Sequence, residues 1–262
     1  MTVSIERLDG GIAVITIERE RSGNSIDGHT GHGLNTALSE LEAEVSIRGA
    51  VITGAGDRYF CTGMDLKEFG RGNTRGIVSS KNGFAGIARR KTRLLLAAAV
   101  NGLALGGGFE IVLACDLAVA SEQARFSLPE VKRGLIAAGG GLVRLPRTLP
   151  PKIVTELALT GNEIGAERAL SLGLVNSVVA PGEEVPAAIT LLRAVLANAP
   201  AAVAASRDLI RQTPYLDEEE AWLECRRQLK EVLAAGEARE GADGFTRGVA
   251  PTWPAAVDGA EA

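Results

Sequence analysis

Two glutamates and two glycine turns carry most of the chemistry legible in this sequence. Glu110 sits in GGGFEIVLAC, one carboxyl group inside an apolar run. A buried carboxylate needs a partner, or its charged form is disfavoured and its pKa rises. That is the setting of a general acid or base near neutral pH. Burial equally suits a structural carboxylate that caps a helix or pairs with an arginine, so Glu110 alone leaves both readings open. Glu130, in FSLPEVKRG, follows Pro129, which ends a strand and presents the next residue at a turn. An acidic residue there also suits a helix dipole. Gly106-Gly107-Gly108 lies between an apolar strand and an apolar helix. Glycines let a ligand approach the backbone, and N–H groups at a helix start favour negative charge. YFCTGMDL, residues 59–66, has the same form: strand end, glycine, helix start at Met64-Asp65. Two such turns can each give one N–H to one carbonyl oxygen, an oxyanion hole made of backbone. Tight packing between elements calls for the same glycines.

Other chemistries find no support. There is no GxxxxGK[ST] and no GxSxG, and Gly54-Ala55-Gly56 runs on to Tyr59 where a dinucleotide fingerprint needs glycine. The two histidines, His29 and His32, are three apart near a helix start with no carboxylate or cysteine at ligand spacing, so no metal is expected. Acid–base work then falls to carboxylates. Three cysteines, none in CxxC spacing, suit a reducing, cytoplasmic setting. The opening MTVSIERLDGG has neither the basic nor the apolar region of a signal peptide. A net charge of -4 argues against nucleic acid as a partner. Residues 94–115 are apolar apart from Asn101 and Glu110, yet a carboxylate and several glycines make a membrane span costly. A buried strand, a glycine turn and a buried helix fit that stretch better.

Those residues need elements to position them. Val3–Leu8 and Ile12–Ile17 alternate as a hairpin around Asp9-Gly10-Gly11. Leu34, Leu38, Leu41 and Val45 recur at helical spacing. Strands are expected at 50–53, 94–100, 116–120, 125–127 and 174–179, and helices at 65–69, 108–115, 151–159 and 166–172. Residues 70–83 read as a mobile surface loop and 134–141 as another glycine-rich stretch. Beyond Pro181 the strand signals stop, and helices are expected over 185–198, 200–212, 217–235 and 237–246. The chain is therefore an α/β core followed by a helical region. With 32 glycines among 262 residues and 4% aromatics, its core is aliphatic and closely packed.

Together these segments resemble the crotonase, or enoyl-CoA hydratase/isomerase, superfamily over nearly the whole chain. ITGAGDRYFCTGMDL is similar to the family's first oxyanion segment, and AAVNGLALGGGFEIVLACDLAVA to the second. ARFSLPEVKRGLIAAGGGLVRLPR resembles the segment of its second glutamate, and LALTGNEIGAERALSLGLVNSVV the link into its C-terminal part. NSID, NGFAGI, LPPKIVTELALTG and EGADGFTRGVAPTWP resemble carnitinyl-CoA dehydratase-like members in particular. The resemblance implies a spiral of ββα units, residues 1–198, and a C-terminal helical trimerisation region, residues 199–262. It implies reversible addition of water across the 2,3 double bond of an acyl-CoA. Glu110 and Glu130 would be catalytic, and the N–H groups of Met64 and Gly107 the oxyanion hole. Asn24, Ser25, Ile26, Thr62, Asp65, Leu66 and Lys67 would bind the coenzyme A substrate. No separate cofactor or metal is implied, and the expected assembly is a homotrimer or dimer of trimers. A double-bond isomerase and a non-catalytic acyl-CoA-binding homologue are the alternatives. Departures from the family pattern are Ser25, Thr62 and Ala137, the missing proline at Glu20-Arg21, and the missing Lys-Pro in RRKTRLLLAAAV. They bear on the substrate more than on the reaction. The basic cluster 89–93 could meet a phosphate or be a solvated helix face.

Overall fold

The Asp9-Gly10-Gly11 turn folds β1 (Val3–Leu8) back on β2 (Ile12–Ile17), in register from Val3↔Ile17 to Leu8↔Ile12. Both turn glycines have positive φ, as a tight hairpin connection demands. The computed structural model describes residues 2–253. After α1 (Gly28–Ala43), the chain returns as β3 (Gly49–Gly54), parallel to β2. β7 (Leu95–Val100), β9 (Leu117–Ser121) and β12 (Ser177–Val179) extend this sheet in parallel, giving the order β1-β2-β3-β7-β9-β12. Every residue of β3 and β7 is buried, as their unbroken apolar runs require of parallel strands covered on both faces.

A second, smaller sheet is built from the segments that follow these strands. β4 (Tyr59–Cys61), β8 (Leu103–Leu105) and β10 (Arg125–Ser127) run parallel, and β11 (Ile164–Gly165) closes the edge antiparallel to β10. The pattern repeats: β3, β4, then α2 (Leu66–Gly70); β7, β8, then α3 (Gly107–Ala114). This is the expected ββα spiral. Asn101 ties its turns together, its amide donating to the carbonyls of Gly54 at 2.9 Å and Gly56 at 2.7 Å. Because β4 pairs directly with β8, the glycine turns that follow them lie side by side.

Three sequence expectations need correction. Residues 70–83 are not simply a surface loop: Ile77 is buried, and β5 (Val78–Ser79) pairs with β6 (Gly83–Phe84). The loop backbone presses on α1, where a Cβ at Gly28 would come within 2.1 Å of the Arg75 carbonyl oxygen. The glycine stretch near 141 opens a helix, α4 (Gly141–Thr148), which Pro146 disguised. In the basic cluster, Arg90 is buried on Glu42, and Arg93 closes the end of α1 by donating to the carbonyls of Leu41, Glu42, Glu44 and Ile47. Those two arginines serve the fold. α5 (Pro151–Thr160) and α6 (Ala166–Ser171) follow as expected.

The chain divides into two compact units between Leu192 and Arg193. α7 (Glu184–Leu196) crosses that point, and the second unit adds α8 (Pro200–Gln212), α9 (Glu218–Ala234) and α10 (Glu237–Arg247). A capping box of Asp217 and Glu220 starts α9, and the Glu237 carboxylate accepts the N–H of Ala201 at the head of α8. The tail of the expected 199–262 region, residues 254–262, lies outside the described residues. Among the described residues no single helix is long and apolar enough to cross a membrane.

Gly108 shows how tightly the spiral closes. A Cβ there would lie 1.9 Å from the Cys61 carbonyl oxygen. Gly108→Ala is expected to lose about 3 kcal/mol in urea unfolding. Gly70→Ala, at an exposed helix end with nothing within 4 Å, should change stability by less than about 0.5 kcal/mol.

Candidate active site

Both glycine turns are shaped by contacts that only glycine permits. Gly63 has φ +85°, and a Cβ on it would lie 2.8 Å from the Gly107 nitrogen. Gly107 opens α3, and the Phe84 ring lies where its Cβ would point, at 2.5 Å. Gly106 has φ +54°, which turns the chain from β8 into α3. The Gly107 N–H therefore stands at a helix start, where no carbonyl of the preceding turn can accept it.

On the first turn, Met64 forms an isolated parallel bridge with Ile26. Ile26 donates to the Gly63 carbonyl at 2.8 Å, and Asp65 donates to the Ile26 carbonyl at 2.9 Å. Those bonds use the groups on either side of Met64, so its own N–H points away from the 24–26 segment. The predicted donors Met64 and Gly107 thus belong to two turns in direct contact.

Glu110, one turn into α3, is only 3% exposed. Its Oε1 accepts the Gly141 N–H at 2.9 Å, and a Cβ on Gly139 would lie 2.4 Å from its Oε2. Burial pushes its pKa up to about 7; the negative charge of Glu130 adds to the rise, while the Gly141 and Gly139 N–H groups and Arg144 oppose it. Glu130 lies on the 3-10 turn Pro129–Arg133, its Oε1 3.0 Å from where a Gly106 Cβ would be. Its carboxyl is also raised by burial, and its Oε2 is buried without a hydrogen-bond partner. A carboxyl oxygen in that state is suited to hold a polar ligand. The two glutamates are 20 residues apart in sequence, yet the Glu130 charge reaches Glu110, and the Glu130 carboxyl lies against Gly106.

The remaining predicted residues lie on α2 or in the buried segments beside the first turn. Leu66 and Lys67 are exposed on α2, and Asp65 caps that helix, accepting the N–H groups of Lys67 and Glu68. Asn24 is fully buried with φ +52°; its amide donates to the carbonyls of Ala55 and Tyr59. Ser25 and Ile26 are buried, and Thr62 packs beneath Gly23. Cys61 is no nucleophile: burial pushes its thiol up to about 12. Of the aromatic residues near the site, Phe109 packs on Phe126 in the core, while Phe84 lies on Gly107. Sequence reasoning did not place Arg144 or the 139–141 turn around Glu110. The AAGGG run was the available signal, a backbone kept bare beside a charge. Among the described residues no cluster of three or more histidine, cysteine, aspartate or glutamate side chains is arranged for a metal ion.

A buried carboxyl, a second, half-buried one and the bare backbone of two glycine turns thus come together in a ββα spiral. The sequence profile of the enoyl-CoA hydratase/isomerase family matches residues 7–255. The carnitinyl-CoA dehydratase of Salmonella typhi is 37% identical over 254 residues, covering 94% of this chain and 95% of its own. The enoyl-CoA hydratase of Mycobacterium tuberculosis H37Rv superposes with a TM-score of 0.91 at 40% identity, covering 97% of this chain and 99% of its own. A carnitinyl-CoA hydratase of Mycobacterium avium, also 40% identical and with the same coverage, gives 0.75. The chain belongs to the enoyl-CoA hydratase/isomerase family.

The raised pKa of Glu110 makes a stability prediction. Its folded pKa is above the unfolded value of 4.5, so native stability is lost as pH rises from that value to about 7. Glu110→Gln should gain little at pH 4.5 and on the order of 3 kcal/mol at pH 8, measured by urea unfolding at both pH values. A gain independent of pH would contradict the assignment.

Proposed function

We propose that this chain is an enoyl-CoA hydratase that adds water reversibly across the 2,3 double bond of an acyl-CoA. The observation that carries this reading is the placement of two carboxyls around the glycine turns: Glu130, with an unpartnered buried oxygen, against Gly106, and Glu110, buried one turn along α3 against Gly139 and Gly141. Met64 and Gly107 N–H groups bind the thioester oxygen and stabilise the negative charge that builds there as water attacks Cβ. Glu130, with its unpartnered oxygen, takes a proton from that water. Glu110, half-protonated near pH 7, gives a proton to Cα. The hydroxyl ends on Cβ and the hydrogen on Cα, so one water is consumed and each carboxyl recovers its proton state by exchange. Asp65, Leu66 and Lys67 lie along the thioester and pantetheine. The 24–26 segment and Thr62 lie toward the adenine end. A double-bond isomerase needs one dominant acid–base, and the presence of both Glu110 and Glu130 favours the hydratase instead.

The acyl group we favour is short and of the carnitinyl type, as in the relatives of that name. Turnover of crotonyl-CoA and crotonobetainyl-CoA, followed by loss of the enoyl-thioester absorbance, tests both. Glu130→Gln and Glu110→Gln should each lower kcat by about 100-fold or more. The wild-type rate should be bell-shaped in pH, with an alkaline limb near 7 as Glu110 loses its proton. Wild-type rates preserved in both variants would overturn the reading.

We also propose a homotrimer. α9 exposes Trp222, Leu229 and Leu233 on one face, more apolar surface than a lone helix leaves in water. Leu229→Glu with Leu233→Glu should shift the mass measured by light scattering to that of a single chain. An unchanged mass would place the interface elsewhere.

A further inference from the structure

Arg19 lies in the polar stretch between β2 and α1, where an arginine reads as solvated. Its side chain is only 16% exposed. Nη1 donates to the Ser25 carbonyl at 2.6 Å and to Ser25 Oγ at 3.2 Å. Nη2 donates to Asp65 Oδ2 at 3.1 Å and lies 3.1 Å from Asp27 Oδ2. Ser25 immediately precedes Ile26, Asp65 immediately follows Met64, and Ile26 and Met64 are the bridged pair. The guanidinium therefore clasps the bridge by the neighbours of both its partners. It also joins two helix starts, because Asp27 caps α1 and Asp65 caps α2. Burial raises the Asp65 carboxyl, but the Glu68 N–H, the Arg19 guanidinium and the Lys67 N–H outweigh it and hold it below its usual range. A planar, two-pronged cation can hold a carbonyl and a carboxylate in a fixed mutual orientation, which a single ammonium cannot.

We propose that Arg19 is a positioning residue for the oxyanion donor at Met64, acting through Ser25 and Asp65. This deepens the hydratase reading and rests on it. Arg19 does not touch the substrate. It fixes the 63–65 backbone against the 24–26 segment, and so sets the direction in which the Met64 N–H points. A misplacement of about 1 Å at such a site costs on the order of 100-fold in rate.

The test compares Arg19→Met and Arg19→Lys with wild type in crotonyl-CoA hydration, each rate corrected for folded fraction by near-ultraviolet circular dichroism. Arg19→Met should lose about 30- to 100-fold in kcat, with KM within about 3-fold of wild type. Arg19→Lys should recover part of that loss, and millimolar guanidinium should partly rescue Arg19→Met. A readout free of turnover is the enolate absorbance of bound acetoacetyl-CoA, which an oxyanion site strengthens. It should be strong in wild type and weak in Arg19→Met at saturating ligand. A wild-type kcat and enolate band in Arg19→Met, or a loss that the folded fraction alone accounts for, overturns the proposal. The hydratase reading fails separately, on wild type alone, if that protein neither hydrates crotonyl-CoA nor enolises acetoacetyl-CoA; the proposal then falls with it.

Discussion

The close approach of two backbone turns is the constraint on which the site depends. β4 and β8 pair directly, so the segments leaving them cannot avoid one another. Gly63, Gly107 and Gly108 meet where side chains have no room. Sheet pairing fixes the spacing, and glycine makes it attainable. From that contact follow the helix start at Gly107, the placement of Glu110 one turn along α3, and the turn at Gly106 on which Glu130 rests. The proposed chemistry needs donors that are already in place before charge develops, and backbone held by two paired strands of one sheet meets that need better than flexible side chains.

The same packing makes Glu110 costly to ionise. It is buried, faces a second carboxyl and is offset only by two glycine N–H groups and Arg144. A group held in that balance titrates near neutrality, where proton transfer in both directions is easiest. Stability given up at this residue and a proton available at pH 7 are two consequences of one environment.

Much of the fold is legible in the sequence, for reasons specific to each element. The first hairpin announces itself by alternation and a glycine turn, β3 and β7 by unbroken apolar runs, and the ends of α5 and α6 by Gly161 and Gly173. Glu110 stands out because a carboxylate is rare in an apolar run. What stays hidden depends on contacts distant in sequence. Nothing local distinguishes Arg19 from a solvated arginine, since its key partner Asp65 is 46 residues away. Arg90 and Arg93 read as a basic cluster until α1 is folded beneath them. α4 is masked by the glycines that open it and the proline inside it. The 70–83 segment looks like loop by composition, and only its packing on α1 orders Ile77.

The carbonyl stretch of a bound 2-enoyl-CoA, labelled with carbon-13 at the thioester and read by difference infrared spectroscopy, tests the central claim most directly. Two backbone donors from Met64 and Gly107 predict a clear shift to lower wavenumber relative to the same thioester in water. An unshifted band in the bound complex would contradict the account, because no oxyanion site would then be polarising the substrate.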